Sequence, residues 1–139
     1  MDMKTATTLI LLLLILSSCK KSVVKTYPNI VGEWSWVNWC VIGNNFKKLT
    51  VNTNGKGKFD SYDSNSGVGE TSEGKVKTND DDLYVDGNYV FTIIEVIDTL
   101  GYIQNPNPPS FCSNDLIYVR GLLRVKVNNG SNQTYYKIN

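Results

Sequence analysis

Few side chains in this chain are equipped for chemistry. It has no histidine, and its three cysteines stand at 19, 40 and 112. Without an imidazole, Ser-His-Asp and Cys-His nucleophilic catalysis are excluded, as are the usual zinc sites. The acidic run Asp80-Asp81-Asp82 could attract calcium, but a loop site alternates its oxygen ligands and ends in a bidentate glutamate. The stretch "NDDDLYVDG" has neither feature and reads as a charged hairpin turn, and "DSNSG" at 63–67 reads the same way. Glu33 and Glu95 would suggest glycosidase-type chemistry if they met. Nothing in their spacing brings them together, and Glu95, set in an apolar strand, is expected to face solvent. The residues therefore predict no enzyme, no cofactor and no metal.

Aromatic side chains are better candidates for a site. Trp34, Trp36 and Trp39 lie close together, and strand alternation puts Trp34 and Trp36 on one face with Trp39 on the other. Such rings can line an apolar or sugar pocket, or simply fill a core. Tyr102 and Phe111, in a long Pro-rich segment, are the other candidates for ligand contact. Cys40 and Cys112 either form a disulfide or remain two buried thiols, and the bond is the favoured reading. It would close a loop of about 70 residues and contribute roughly 4 kcal/mol by restricting the unfolded chain.

The elements that must position these groups begin after an N-terminal leader. Lys4 precedes an apolar run, Leu9 to Leu16, that is too short to span a bilayer, which takes about 20 residues. It fits the apolar region of a secretory signal, followed by the small pair Ser17-Ser18. The stretch "LSSC" at 16–19 resembles the lipobox of bacterial lipoproteins. That resemblance implies acylation of Cys19, cleavage just before it, and anchoring to a membrane of the cell envelope, the outer membrane being expected. Each buried acyl methylene stabilises such an anchor by about 0.8 kcal/mol. The domain reading is then a signal peptide at 1–18, a lipidated cysteine and tether at 19–29, and a single globular domain at 30–139. Lysines 20, 21 and 25 form a small basic patch beside the anchor, suited to anionic headgroups or to a solvated linker.

The globular part is nearly neutral, because the whole chain carries 14 Lys+Arg against 13 Asp+Glu. It has no basic stripe with interleaved aromatics, which argues against nucleic acid. Helical periodicity is almost absent, while turn signals recur at 43–45, 52–57, 64–69, 79–82, 86–88, 105–109 and 128–132. Strands are predicted over about 30–42, 46–53, 57–63, 71–78, 83–86, 88–98, 115–127 and 132–138. Alternation is clearest near the end of the chain. Ile117, Val119, Gly121, Leu123, Val125 and Val127 share one face, and Tyr118, Arg120, Arg124 and Lys126 take the other. Gly121 in mid-strand suggests a bend. Residues 99–114 read as a long loop, and 60–74 as a mobile loop or frayed hairpin. The fold class is all-β, a small up-and-down antiparallel barrel of about eight strands, with a β-sandwich as the alternative.

"NIVGEWSWV" carries Gly32-x-Trp34 at the opening of the first strand. With the hairpin "LTVNTNGKGKF" and the closing "TYYKI", it resembles the lipocalins and the wider calycin group. The resemblance implies a barrel whose tryptophan closes the narrow end under an arginine, here Arg120 or Arg124. It also implies a small apolar or amphipathic ligand, or a structural role in the envelope. A domain that engages a protein or glycan through residues 99–114 is the competing reading.

Overall fold

The computed structural model describes residues 21–37, 45–104 and 116–137. Nine strands run in chain order: β1 (Lys21–Ser22), β2 (Gly32–Val37), β3 (Phe46–Val51), β4 (Lys56–Asp63), β5 (Val68–Asn79), β6 (Asp82–Val85), β7 (Asn88–Gln104), β8 (Leu116–Lys126) and β9 (Asn132–Lys137). A single helical turn, α1 (Val23–Thr26), and a 3-10 turn (Pro28–Ile30) separate β1 from β2. Every pairing is antiparallel. The order β5-β4-β3-β2-β9-β8-β7-β6 closes on itself through β5–β6, giving an eight-stranded up-and-down barrel with β1 added beside β5. This architecture is compatible with a lipocalin-like fold, and the sandwich alternative falls because one sheet closes on itself.

Up-and-down connectivity sorts the connections between two ends. The β3–β4, β5–β6 and β7–β8 connections share one end with the N-terminal segment. The β2–β3, β4–β5, β6–β7 and β8–β9 connections share the other. The first end is closed. Ile30 and Trp34 are fully buried there, and the indole Nε1–H of Trp34 donates to the Ile30 carbonyl at 2.7 Å. Val23 of α1 is fully buried as well, and Val24 and Tyr27 pack against the core. The Tyr27 hydroxyl also donates to Asp81 in the β5–β6 turn. Much of the segment read as a tether is therefore docked under the barrel, because its Val-Val pair and Tyr27 have apolar surface to remove from water.

Packing at the closed end also corrects the expected arginine. Lys137, not Arg120 or Arg124, lies over the Trp34 ring, with Nζ 5.4 Å from its centroid and donating to the Val31 carbonyl at 2.7 Å. Register explains the difference. Lys137 is the cross-strand partner of Trp34 and so shares its inward face. Arg120 and Arg124 alternate with the buried Val119, Leu123 and Val125 and point outward. Arg124 pairs instead with Glu95 at 3.0 Å on the surface.

Gly121 sits against the same tryptophan. A Cβ there would lie 3.0 Å from Trp34 Cη2 and 3.1 Å from the Ile97 carbonyl oxygen, so the glycine lets the indole lie across β8. The remaining core is built from Leu49, Val51, Val76, Leu83, Val85, Phe91, Ile93, Leu123, Val125 and Tyr135, all inward-facing strand positions.

Of the two segments read as loop or frayed hairpin (60–74) and as loop (99–114), the first is a paired hairpin and the described part of the second, 99–104, is strand. Residues 60–74 form an ordinary paired hairpin, with Asp63↔Val68 as its last rung and Asp63 capping the turn through Asn65 N–H. Strand β7 does not stop at Asp98 but continues to Gln104, pairing Gly101↔Val119, Tyr102↔Tyr118 and Ile103↔Ile117. Register shifts around residue 94 and at 99–100 keep its face in step with β8. These bulges hid the continuation from simple alternation. At the first of them Ile94 is extruded and about half exposed, while Phe91 and Ile93 point in.

Candidate functional site

The open end of the barrel holds a cleft of about 710 Å³. Alternation and register build it. Lys47 of β3, Ser61 of β4 and Glu70 of β5 are successive cross-strand partners of Trp36, so all four share the inward face one layer above Trp34. Phe59 and Ser72 form the next rung down. Tyr89 and Val90 enter from the start of β7, Val127, Asn128 and Asn129 from the β8–β9 turn, and Tyr135 from β9. The result is a polar wall over an aromatic floor, where Phe59 and Tyr135 each contact Phe91, at centroid distances of 6.3 and 5.4 Å.

Two groups give the cleft its electrostatic character. The Tyr135 side chain is fully buried, and its hydroxyl has no hydrogen-bond partner among the described residues. Burial pushes this phenol up, so it stays protonated and remains a donor at neutral pH. Buried donors are nearly always paired, which makes an acceptor from a bound molecule or water the natural complement. Lys47 is half-buried and its pKa is lowered by that burial. Its ammonium donates to Gln133 Oε1 at 3.2 Å and lies 5.5 Å from the Trp36 ring. The amine is thus turned toward β9 and the indole rather than toward its neighbour Ser61. The cleft thus combines polar and charged groups with aromatic and apolar side chains.

Of the residues singled out from sequence, Trp34 belongs to the closed end and Trp36 packs on Lys47 without lining the cleft. Tyr102 is 70% exposed, against Tyr118 and on the side of the barrel away from the cleft. Cys19, Trp39, Cys40, Phe111 and Cys112 lie outside the described residues. Glu33 and Glu95 are not brought together: Glu33 pairs with Lys48 at 2.8 Å and Glu95 with Arg124. The acidic run is a turn in which Asp81 accepts from Tyr27 and Asp82 from Thr92 at 2.6 Å. Among the described residues, no three metal-ligating side chains gather.

Lys47, Phe59, Ser61 and Tyr135 were missed by sequence reasoning. The hairpin and closing-strand segments that supported the calycin resemblance run from Leu49 to Phe59 and from Thr134 to Ile138, so Phe59 and Tyr135 were in view. The inward direction of Tyr135 follows only from its pairing with Leu123. Comparison with protein-family models, curated proteins and solved structures finds no match, so the geometry alone carries the functional reading.

Proposed function

We propose that this protein is a lipid-anchored, lipocalin-like envelope lipoprotein that binds a small amphipathic molecule in the open end of its barrel. The observation that carries the reading is the cleft of about 710 Å³, lined in part by Tyr135, whose buried hydroxyl has no hydrogen-bond partner among the described residues. That volume falls in the range of small-molecule sites, about 300–1,000 Å³. The ligand's apolar part would rest on Phe59 and Val90. An acceptor oxygen would take the Tyr135 hydroxyl, and a negative group would be drawn to Lys47. The lipobox-like "LSSC" supports the anchor, which would come through acyl chains on Cys19.

Native mass spectrometry of the protein extracted gently from membranes tests the reading. A discrete adduct that is lost on denaturation, and is weakened by Tyr135→Phe, is the expected result. A ligand-free protein that takes up no amphipathic carboxylate, sterol or polyisoprenoid from a mixed extract would remove the carrier function. The mass of the N-terminal peptide separately reports acylation of Cys19.

A further inference from the structure

Strands β7 and β8 outlast the barrel. Among the described residues, strand β9 accompanies β8 only from Gly121 onward, and β6 accompanies β7 only as far as Thr92. Gly101–Gln104 and Leu116–Val119 pair with each other alone among the described residues. They form a short two-stranded arm about 13 Å long, taking about 3.3 Å per residue. The arm leaves from the closed end.

Its outer face is apolar. Leu100, Tyr102, Leu116 and Tyr118 are 72, 70, 62 and 41% exposed, and the two tyrosine rings meet edge to face at 5.2 Å. Ile94, in the barrel wall, is also exposed. The other large exposed hydrophobics among the described residues, Phe46 and Val68, belong to the open end. Exposed apolar surface is thus concentrated on one projection at one end, and such concentration marks an interaction surface. Arg120 is exposed on the same face, one step toward the barrel.

The N-terminal segment says what this end meets. Lys21 and Ser22 are paired with Thr78 and Lys77 of β5, so the chain is fixed to the barrel from residue 21. Only two peptide steps separate Lys21 from Cys19, a reach of at most about 7 Å. Acyl chains on Cys19 would therefore hold the closed end against the bilayer, with no slack to stand off from it.

We infer that the closed end of the barrel rests directly on the membrane, with the β7–β8 arm inserting Leu100, Tyr102, Leu116 and Tyr118 into the lipid interface as a second contact, and with the cleft facing away from the bilayer. This inference rests on the lipoprotein reading. Tyrosine favours the headgroup level, and the exposed Arg120 and Lys25 suit anionic headgroups. One lipid attachment leaves the barrel free to tilt. A second contact fixes which end is presented to the aqueous side.

The test uses the full chain, produced in a bacterium that processes lipoproteins, with benzoylphenylalanine in place of Tyr102 or, in a second variant, of Phe46 at the open end. After irradiation in intact membranes, phospholipid adducts at position 102 should exceed those at 46 by at least about tenfold, since only one site would lie within the interface. Equal yields, or an adduct at 102 to another protein or to a second copy of this chain, would overturn the proposal. The mass of the N-terminal peptide is read from the same sample. Acylated Cys19 without lipid capture at 102 refutes the arm and leaves the anchor standing. Unmodified Cys19 overturns the orientation together with the anchor on which it rests.

Discussion

Replacing Gly121 with alanine probes the packing that closes the barrel. The added methyl would sit 3.0 and 3.2 Å from Trp34 Cη2 and Cζ3 and 3.1 Å from the Ile97 carbonyl oxygen. Trp34 is fully buried and held by its bond to Ile30, so the indole cannot swing aside freely. Overpacking of this kind costs about 1–3 kcal/mol. Reduced freedom of the unfolded chain offsets about 0.4–1 kcal/mol of that. The net loss is about 0.5–2 kcal/mol, or about 3–10 °C in Tm for a domain of this size. Thermal and urea unfolding of wild type and G121A would read it. Combining G121A with Trp34→Phe, which removes the two contacting ring atoms, should erase at least half of the alanine penalty in a double-mutant cycle. Gly57→Ala calibrates the scale, because its Cβ would meet the Thr50 carbonyl oxygen at 2.2 Å, and that variant should lose several times more stability. An unchanged or raised Tm for G121A, with strict additivity in the cycle, would refute the argument that Gly121 exists to admit Trp34.

Tyr135→Phe should leave the ligand-free protein as stable or raise its stability by about 1 kcal/mol, since it deletes an unpaired buried hydroxyl; a clear loss in urea unfolding would mean the phenol is already satisfied. Val23→Ala should cost about 2 kcal/mol, because its side chain is fully buried in the core, whereas a free tether would lose nothing measurable by the same assay. Lys137→Met should destabilise by about 1–2 kcal/mol in thermal unfolding by removing the cation over Trp34 and the donor to Val31, and an effect no larger than that of Lys126→Met on the outer face would refute it. Alkaline stability should also fall. Burial and the bond to Asp81 push Tyr27 up to about 12, and burial raises Tyr135 and Tyr136. Because the folded values lie above the unfolded one, the contribution is complete below about pH 10 and is lost as pH rises toward 12; a urea midpoint that is flat from pH 9 to 12 would contradict it.

Much of the barrel was legible because its signals are local. The turns at 52–55, 64–67 and 128–131 are marked by Asn, Asp, Ser and Gly, and a two-residue alternation sets the inward face of β8. Val119, Leu123 and Val125 are buried where that alternation puts them, and Glu95 faces solvent as its strand context suggested. Local signals failed at the bulges. Ile94 and the pair Thr99-Leu100 interrupt alternation, so β7 was cut short and its continuation was read as loop. The docked N-terminal segment was missed for a different reason. A lone Val-Val pair within polar residues has no periodicity of its own, and its burial depends on a cavity mouth assembled from β strands distant in sequence.

The sequence by itself determined the class of fold, the position of most strands and the exclusion of histidine-based chemistry. These follow from residue type and from spacing within a few positions. Only the tertiary structure decided that Lys137 rather than an arginine covers Trp34, that Lys47, Phe59 and Tyr135 share a cleft, and that an apolar arm projects from the end where the chain enters. Each depends on register between strands far apart in the chain. A shift of one residue in that register would turn every such side chain to the opposite face, and no local pattern carries that information.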